Sequence, residues 1–217
     1  TYVYYGSTTG LSAAAGTVLT DDSRSDRVLA EDIDQDGHPD VLLCRKSALV
    51  DSDIFWGSAS GPSSASVTSL SGYNVSDCAV EDFDQDGYND VVLGNGGGRN
   101  SYVYWGTTTG WSSAGRTSLT TSGSVVAIAT GDFNADGYPD LALPGTSSTS
   151  YIYYGATTGF QAGATTFTAN GTYDALAADF DGDGYDDLYV GPSGSSLDDA
   201  ELRLGSSTGL STTPDFS

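Results

Sequence analysis

The sequence predicts an all-β fold: a β-propeller of four-stranded blades, with four acidic-loop repeats plus a partial repeat at the N-terminus. Three observations carry that prediction. An acidic nine-residue loop occurs four times, at steps of 50, 50 and 47 residues. A short aromatic or apolar run closed by Gly occurs five times, alternating with the loops. No segment sustains 3.6-residue apolar periodicity between helix caps.

Taken in chain order, the Gly-closed run appears first as Tyr2-Val3-Tyr4-Tyr5-Gly6. It returns as Ile54-Phe55-Trp56-Gly57, Tyr102-Val103-Tyr104-Trp105-Gly106, Tyr151-Ile152-Tyr153-Tyr154-Gly155 and Leu202-Arg203-Leu204-Gly205. A second Gly follows four residues later each time, at Gly10, Gly61, Gly110, Gly159 and Gly209. Such runs, closed by Gly-bounded Ser/Thr turns, read as strands ending in hairpins. Small apolar runs lead into each acidic loop: Arg27 to Ile33, Cys78 to Phe83, Val126 to Phe133 and Ala175 to Phe180. Others leave it: Val41 to Leu43, Val91 to Leu93, Leu141 to Leu143 and Leu188 to Val190.

Each repeat is therefore four short strands in about 50 residues, with the acidic loop linking the first pair. A unit that small cannot bury both faces alone, so successive units must stack, and radial stacking gives a propeller. A linear β-solenoid is the structural alternative, but its turns are much shorter. One domain over 1–217 is expected, with a partial blade over 1–22 and repeats over about 23–72, 73–122, 123–170 and 171–217. In a closed ring the first Gly-closed run and the last would compete for one place. A four-blade ring with an overhang, part of a larger ring, and an oligomer that shares strands all remain open.

The first loop reads Asp32-Ile33-Asp34-Gln35-Asp36-Gly37-His38-Pro39-Asp40, and the second Asp82-Phe83-Asp84-Gln85-Asp86-Gly87-Tyr88-Asn89-Asp90. The third is Asp132-Phe133-Asn134-Ala135-Asp136-Gly137-Tyr138-Pro139-Asp140, and the fourth Asp179-Phe180-Asp181-Gly182-Asp183-Gly184-Tyr185-Asp186-Asp187. Oxygens at positions 1, 3, 5 and 9 can wrap one hard cation. Gly at position 6 permits the turn, and the position-7 carbonyl can add a ligand. Without a cation, carboxylates packed this closely repel. Ca²⁺ suits such a cage better than Mg²⁺, which demands a stricter geometry and gives up its waters reluctantly. A calcium-sensor loop of the helix-flanked kind is excluded. It would close with a bidentate Glu at position 12, where this chain has Leu43, Leu93, Leu143 and Val190.

The Asp-x-Asp-x-Asp-Gly-x-x-Asp core with its flanking Phe and Gly resembles the FG-GAP repeat family (integrin-α-like, VCBS-type) over nearly the whole chain. That resemblance implies a Ca²⁺ ion in the hairpin between the first two strands of each blade. Carried over residue by residue, the ligands are Asp32, Asp34, Asp36 and Asp40, then Asp82, Asp84, Asp86 and Asp90. Asp132, Asn134, Asp136 and Asp140 form the third set, and Asp179, Asp181, Asp183 and Asp187 the fourth. His38, Tyr88, Tyr138 and Tyr185 would contribute backbone oxygen. Asn134 keeps an oxygen but loses a charge, so the third site is expected to be the weakest. At free Ca²⁺ of 100 times Kd one site stabilises the fold by about 2.7 kcal/mol, so four would reach roughly 10 kcal/mol. The ions then act as staples rather than switches.

Composition narrows the partners. Asp and Glu number 29 against seven Lys and Arg, for a formal charge of −22. Fifteen of those acids sit at the loops' ligand positions, and four divalent cations would bring the charge to about −14. Nucleic acid and anionic membrane are disfavoured, because both need Lys/Arg patches. No apolar run reaches the length of a membrane span. The chain contains no Met, so a processed chain or a fragment is expected. Cys44 lies four residues after the first loop's last Asp and Cys78 four before the second loop's first, so a disulfide between successive repeats is geometrically possible in an oxidising compartment.

Catalytic signals are poor. The only histidine, His38, sits inside a loop where the other copies carry Tyr, leaving no Ser-His-Asp or Cys-His set. No phosphate loop or HExxH motif is present. Trp56, Trp105, Trp111, Tyr5 and Tyr154 could stack on sugars, but their recurrence at one blade position favours inter-blade core. The expectation is a non-enzymatic, secreted or surface-exposed module for recognition or adhesion, with protein or glycan ligands. A lectin with inter-blade carbohydrate sites and a self-assembling surface protein that shares strands are the rival readings.

Overall fold

The computed structural model describes residues 1–11, 16–19, 25–146, 149–169, 172–192 and 200–216; residues 12–15 and 20–22 of the expected partial blade lie outside them. Strands β1 (Tyr2–Val3) and β2 (Thr17–Val18) form an antiparallel pair. The first four-stranded sheet is β3 (Ser25–Glu31), β4 (Asp40–Arg45), β5 (Ser52–Phe55) and β6 (Val67–Leu70), paired in chain order. The second repeats it with β7 (Val75–Glu81), β8 (Asp90–Asn95), β9 (Ser101–Tyr104) and β10 (Thr117–Leu119). In the third, β11 (Ala129–Gly131), β12 (Asp140–Leu143) and β13 (Ser150–Tyr153) precede a small hairpin of β14 (Gly155–Ala156) and β15 (Gly159–Phe160); β16 (Thr165–Phe167) completes the sheet. The last sheet has three strands, β17 (Thr172–Ala178), β18 (Asp187–Pro192) and β19 (Glu201–Arg203), plus one bridge between Leu202 and Phe216.

Each sheet is an antiparallel meander, called a blade below, and the blades stack in chain order through a fixed code. In the second strand, the first and third residues after the loop's last Asp face the preceding unit. Val41 and Leu43 thus meet Leu19 and Val3 of the N-terminal pair. Val91 and Leu93 meet the first blade, and Leu141 and Leu143 the second. The intervening residue faces the following unit: Leu42, Val92 and Ala142 lie in the cores shared with the next blade. Period-2 alternation explains the split, since successive side chains leave a strand on opposite sides. Both faces are covered, so the three residues after each loop's last Asp are all apolar.

The Gly-closed runs do not compete. Tyr2–Val3 belongs to the N-terminal pair, whereas Leu202 lies in the third strand of the last blade. The first four runs end in an aromatic that seats on the next blade, and in three of them it lies beneath the second Gly of that blade's motif. A Cβ on Gly61 would come within 1.8 Å of the Tyr5 hydroxyl, one on Gly159 within 2.7 Å of the Trp105 ring, and one on Gly209 within 2.0 Å of the Tyr154 hydroxyl. Trp56 instead stacks on Trp111 of the next blade, ring centroids 5.3 Å apart. Across the first two blades Cys44 and Cys78 form a disulfide, Cα atoms 6.3 Å apart, inside the shared core.

Candidate metal centres

Each acidic loop is the turn between the first two strands of a blade. Glu31 pairs with Asp40, Glu81 with Asp90, Gly131 with Asp140 and Ala178 with Asp187, so the loop's last Asp opens the second strand. The chain reverses through left-handed residues at positions 4 and 6. Gly37, Gly87, Gly137 and Gly184 take φ of 91–96°, and Gln35, Gln85 and Ala135 take 53–61°. Only the fourth loop places a second glycine at position 4, Gly182 at φ 81°.

Backbone N–H groups organise the carboxylates. Oδ2 of Asp32, Asp82, Asp132 and Asp179 accepts the N–H of the position-6 glycine at 2.9, 3.0, 2.8 and 3.1 Å. The position-3 Oδ1 accepts the N–H of position 5 at 2.9–3.2 Å in all four loops. Oδ1 of Asp36, Asp86, Asp136 and Asp183 accepts the N–H of His38, Tyr88, Tyr138 and Tyr185 at 2.8–3.0 Å. One oxygen from each of Asp32, Asp34 and Asp36 lies within 4.8 Å of the others; Asp82, Asp84 and Asp86 do the same, as do Asp179, Asp181 and Asp187.

This donor set fits a hard divalent cation. Asp32 Oδ1 is buried yet receives no hydrogen bond, a state that a bound cation would relieve. Burial, together with the Asp36 and Asp32 charges, lifts Asp34 above its ordinary carboxylate value; burial with Asp86 and Asp82 does the same for Asp84. A cation would reverse both effects. The third loop keeps every one of these turns, but Asn134 Nδ2 donates to Asp136 Oδ2 at 3.0 Å. That contact occupies a carboxylate oxygen that a cation could otherwise use.

The ninth-position aspartates have a further role that loop spacing did not reveal. Asp40, Asp90, Asp140 and Asp187 are fully buried. Each Oδ2 accepts the N–H of loop position 2, from Ile33, Phe83, Phe133 and Phe180 at 2.7–3.0 Å. Each Oδ1 accepts the N–H of the glycine that closes the third strand, from Gly57, Gly106, Gly155 and Gly205 at 2.6–2.8 Å. These carboxylates bind their own blade together, and in the fourth loop Asp187 also joins the ligand cluster. Burial pushes Asp90 and Asp140 up to about 7 against the pull of those N–H groups.

Neighbouring loops are tied to one another. Asn89 Nδ2 donates to the carbonyls of Asp32 and Ile33 at 3.3 and 3.2 Å. Gln85 donates to the Gly137 carbonyl. Asp186 Oδ2 accepts the N–H of Asp132 at 2.8 Å, and its own N–H donates to the Asp132 carbonyl at 3.1 Å. Position 8 varies among Pro, Asn and Asp, so no repeat pattern marked it in the sequence.

Comparison with known proteins agrees with this geometry. No curated protein sequence matches the chain. Among solved structures, BBS1N in complex with ARL6DN superposes with a TM-score of 0.57 at 12% identity, covering 88% of this chain and 56% of that one. The V. cholerae biofilm matrix protein Bap1 gives 0.53 at 19% identity, covering 93% of this chain and 30% of that one. At such identities the likeness is one of fold, and this chain spans little over half of the first protein and under a third of the second. The FG-GAP-like repeat profile matches residues 32–93 and again 82–143, each match running from one acidic loop through the next loop to the strand beyond it. Since those matches span more than half of the chain and both begin on a loop's first aspartate, this protein belongs to the FG-GAP-like repeat family.

Proposed function

We propose that this protein is an extracellular, calcium-stabilised propeller module that recognises protein or glycan ligands without catalysis. The observation that carries the reading is the clustering of three carboxylates in a backbone-organised turn, repeated around the stack and including a buried oxygen with no donor. Calcium would sit at each loop on the Asp and Asn oxygens, joined by the backbone carbonyls of His38, Tyr88, Tyr138 and Tyr185. The Cys44–Cys78 disulfide and the likeness to a biofilm matrix protein support an extracellular setting. The likeness to BBS1N, solved with a protein partner, supports recognition of proteins.

The test is calorimetric. Calcium should raise the melting temperature strongly and EDTA should reverse the gain. Equal melting with and without chelator, in protein shown to be metal-free, would reject the calcium reading. Recognition is tested separately, by binding of the calcium-loaded protein to immobilised matrix proteins and polysaccharides.

A carbohydrate-specific reading has one observation in its favour. A groove of about 400 Å³ between the first two blades is lined by Trp56, Trp111, Tyr88, Asn89 and Asp34. The indole N–H groups are already engaged, Trp56 Nε1 with Thr68 Oγ1 at 3.1 Å and Trp111 Nε1 with the Asn89 carbonyl at 3.0 Å. Only ring faces would remain for a sugar. A glycan array on calcium-loaded protein that shows no bound glycan would dismiss this version.

A further inference from the structure

Position 8 sets the acidic loops apart from one another. Loops one and three carry Pro39 and Pro139 there, with neither an N–H nor a polar side chain. Loops two and four carry Asn89 and Asp186, both half-buried, and each reaches into the loop of the preceding blade. Asn89 Nδ2 donates to the carbonyls of Asp32 and Ile33, positions 1 and 2 of loop one. The Asp186 carboxylate accepts the Asp132 N–H and its own N–H donates to the Asp132 carbonyl, while the Ser206 N–H takes the Phe133 carbonyl at 3.2 Å. In both pairs, the backbone around the first ligand-position aspartate is held by the next blade.

Loop two is placed differently. Asp82 receives its side-chain hydrogen bonds from its own loop, at the N–H groups of Asp86 and Gly87. Pro139, at position 8 of the following blade, can donate nothing to it. The tie between loops two and three is the exposed Gln85 side chain on the Gly137 carbonyl, which joins positions 4 and 6 and touches no ligand-position residue.

Asn89 and Asp186 also sit between groups that their own loops fix. Tyr88 and Tyr185 precede them, each with its N–H on a position-5 carboxylate. Asp90 and Asp187 follow, buried and clamped to the third strand. Order imposed on loop two or four therefore passes through the position-8 residue to Asp32 or Asp132.

From these contacts we infer that the loops take up calcium as two coupled pairs, one with two and three with four, and that Asn89 and Asp186 are the positioning residues that carry the coupling. The inference rests on the calcium reading above. Ordering loop two also orders the backbone of Asp32, so that cost is already met when loop one fills, and linkage makes the effect reciprocal. Repulsion between bound cations opposes coupling, but salt screens it and it would not respect the pairing.

The four position-6 glycines give one amide signal per loop, so a calcium titration of isotope-labelled protein by NMR, in physiological salt, reads the loops separately. Asp84→Ala removes a ligand-position residue from loop two. It should weaken calcium binding at loop one by about fivefold, read at Gly37, and leave loop four unchanged at Gly184. Asn89→Ala keeps every ligand-position residue, and Asn89→Pro installs the residue that loops one and three carry. In either background Gly37 should no longer respond to Asp84→Ala. Asp181→Ala should act in the same way on loop three, read at Gly137, and Asp186→Ala should abolish that response. Calcium-dependent shifts in all four loops with Gly37 indifferent to Asp84→Ala, or a response that survives both Asn89 variants, would overturn the coupling alone. An equal response of Gly137 to Asp84→Ala would overturn the pairing. No calcium-dependent shift at any of the glycines would bring down the inference and the calcium reading together.

Discussion

Asp90 Oδ1 accepts the N–H of Gly106 at 2.7 Å, joining the end of an acidic loop to the end of the third strand in the same blade. The Asp90 carboxylate lies in the core, and its other oxygen accepts the Phe83 N–H at 3.0 Å. One side chain therefore fixes the loop's entry, the loop's exit and the far strand of the blade. Gly106 has to be glycine because the Asn89 carbonyl lies where its Cβ would stand.

Burial pushes Asp90 and Asp140 up to about 7, far above their ordinary carboxylate value. A carboxyl whose folded pKa is raised favours folding while protonated. That contribution is whole below the unfolded pKa and disappears as pH rises through the folded one. Calcium-free protein should therefore melt at a lower temperature at pH 8 than at pH 5. Calcium needs ionised ligands, so its stabilising effect should grow over the same interval. Melting curves at several pH values, with calcium and with EDTA, check both trends; a calcium-free protein that gains stability toward pH 8 would contradict this account.

Asn134 brings no charge to the third loop and holds the Asp136 carboxylate, so that loop should bind calcium least tightly. Asp136→Ala should therefore lower the calcium-loaded melting temperature less than Asp84→Ala does. Asn134→Asp should strengthen calcium binding at that loop by about tenfold, roughly 1.4 kcal/mol. Isothermal titration of the three variants measures the ranking, and equal losses from the two alanine variants would reject it.

Gly209 adopts φ 94° directly over the Tyr154 hydroxyl, which also accepts the Leu210 N–H at 3.0 Å. Gly209→Ala should cost about 2–4 kcal/mol in urea unfolding, combining left-handed strain with the clash. Adding Tyr154→Phe removes the clashing oxygen, so the double variant should recover part of the loss. Strict additivity of the two changes would show that they do not meet.

The disulfide joins residues 34 apart in sequence across the interface of the first two blades. Replacing both Cys44 and Cys78 with Ala should reduce stability by about 2–4 kcal/mol. The comparison is best made at saturating calcium, so that metal linkage does not mask the change.

Much of this was legible in the sequence because the repeat signals are local. A turn that carries oxygens at alternate positions and glycine at the sixth encodes its own conformation, and the structure builds every one of the four loops in that way. Apolar runs on either side of each loop forecast the first strand pair, since covering both faces requires continuous apolar residues. Other features were hidden because they join residues some 15 to 57 positions apart. The Asp90–Gly106 clamp, the Asn89 link to the Asp32 carbonyl and the Tyr154 seat at Gly209 each need two strands brought into register first.

The sequence by itself determined the repeating unit: four strands, one acidic turn with hard-oxygen ligands, and closing glycines, all set by short-range backbone chemistry. Only the tertiary structure decided how the units share their surfaces. It gave the first and last Gly-closed runs separate sheets and turned the ninth-position aspartates into buried clamps. The reason is physical: a strand's sequence specifies which side chains alternate, but what lies against each face depends on the neighbour that stacking supplies.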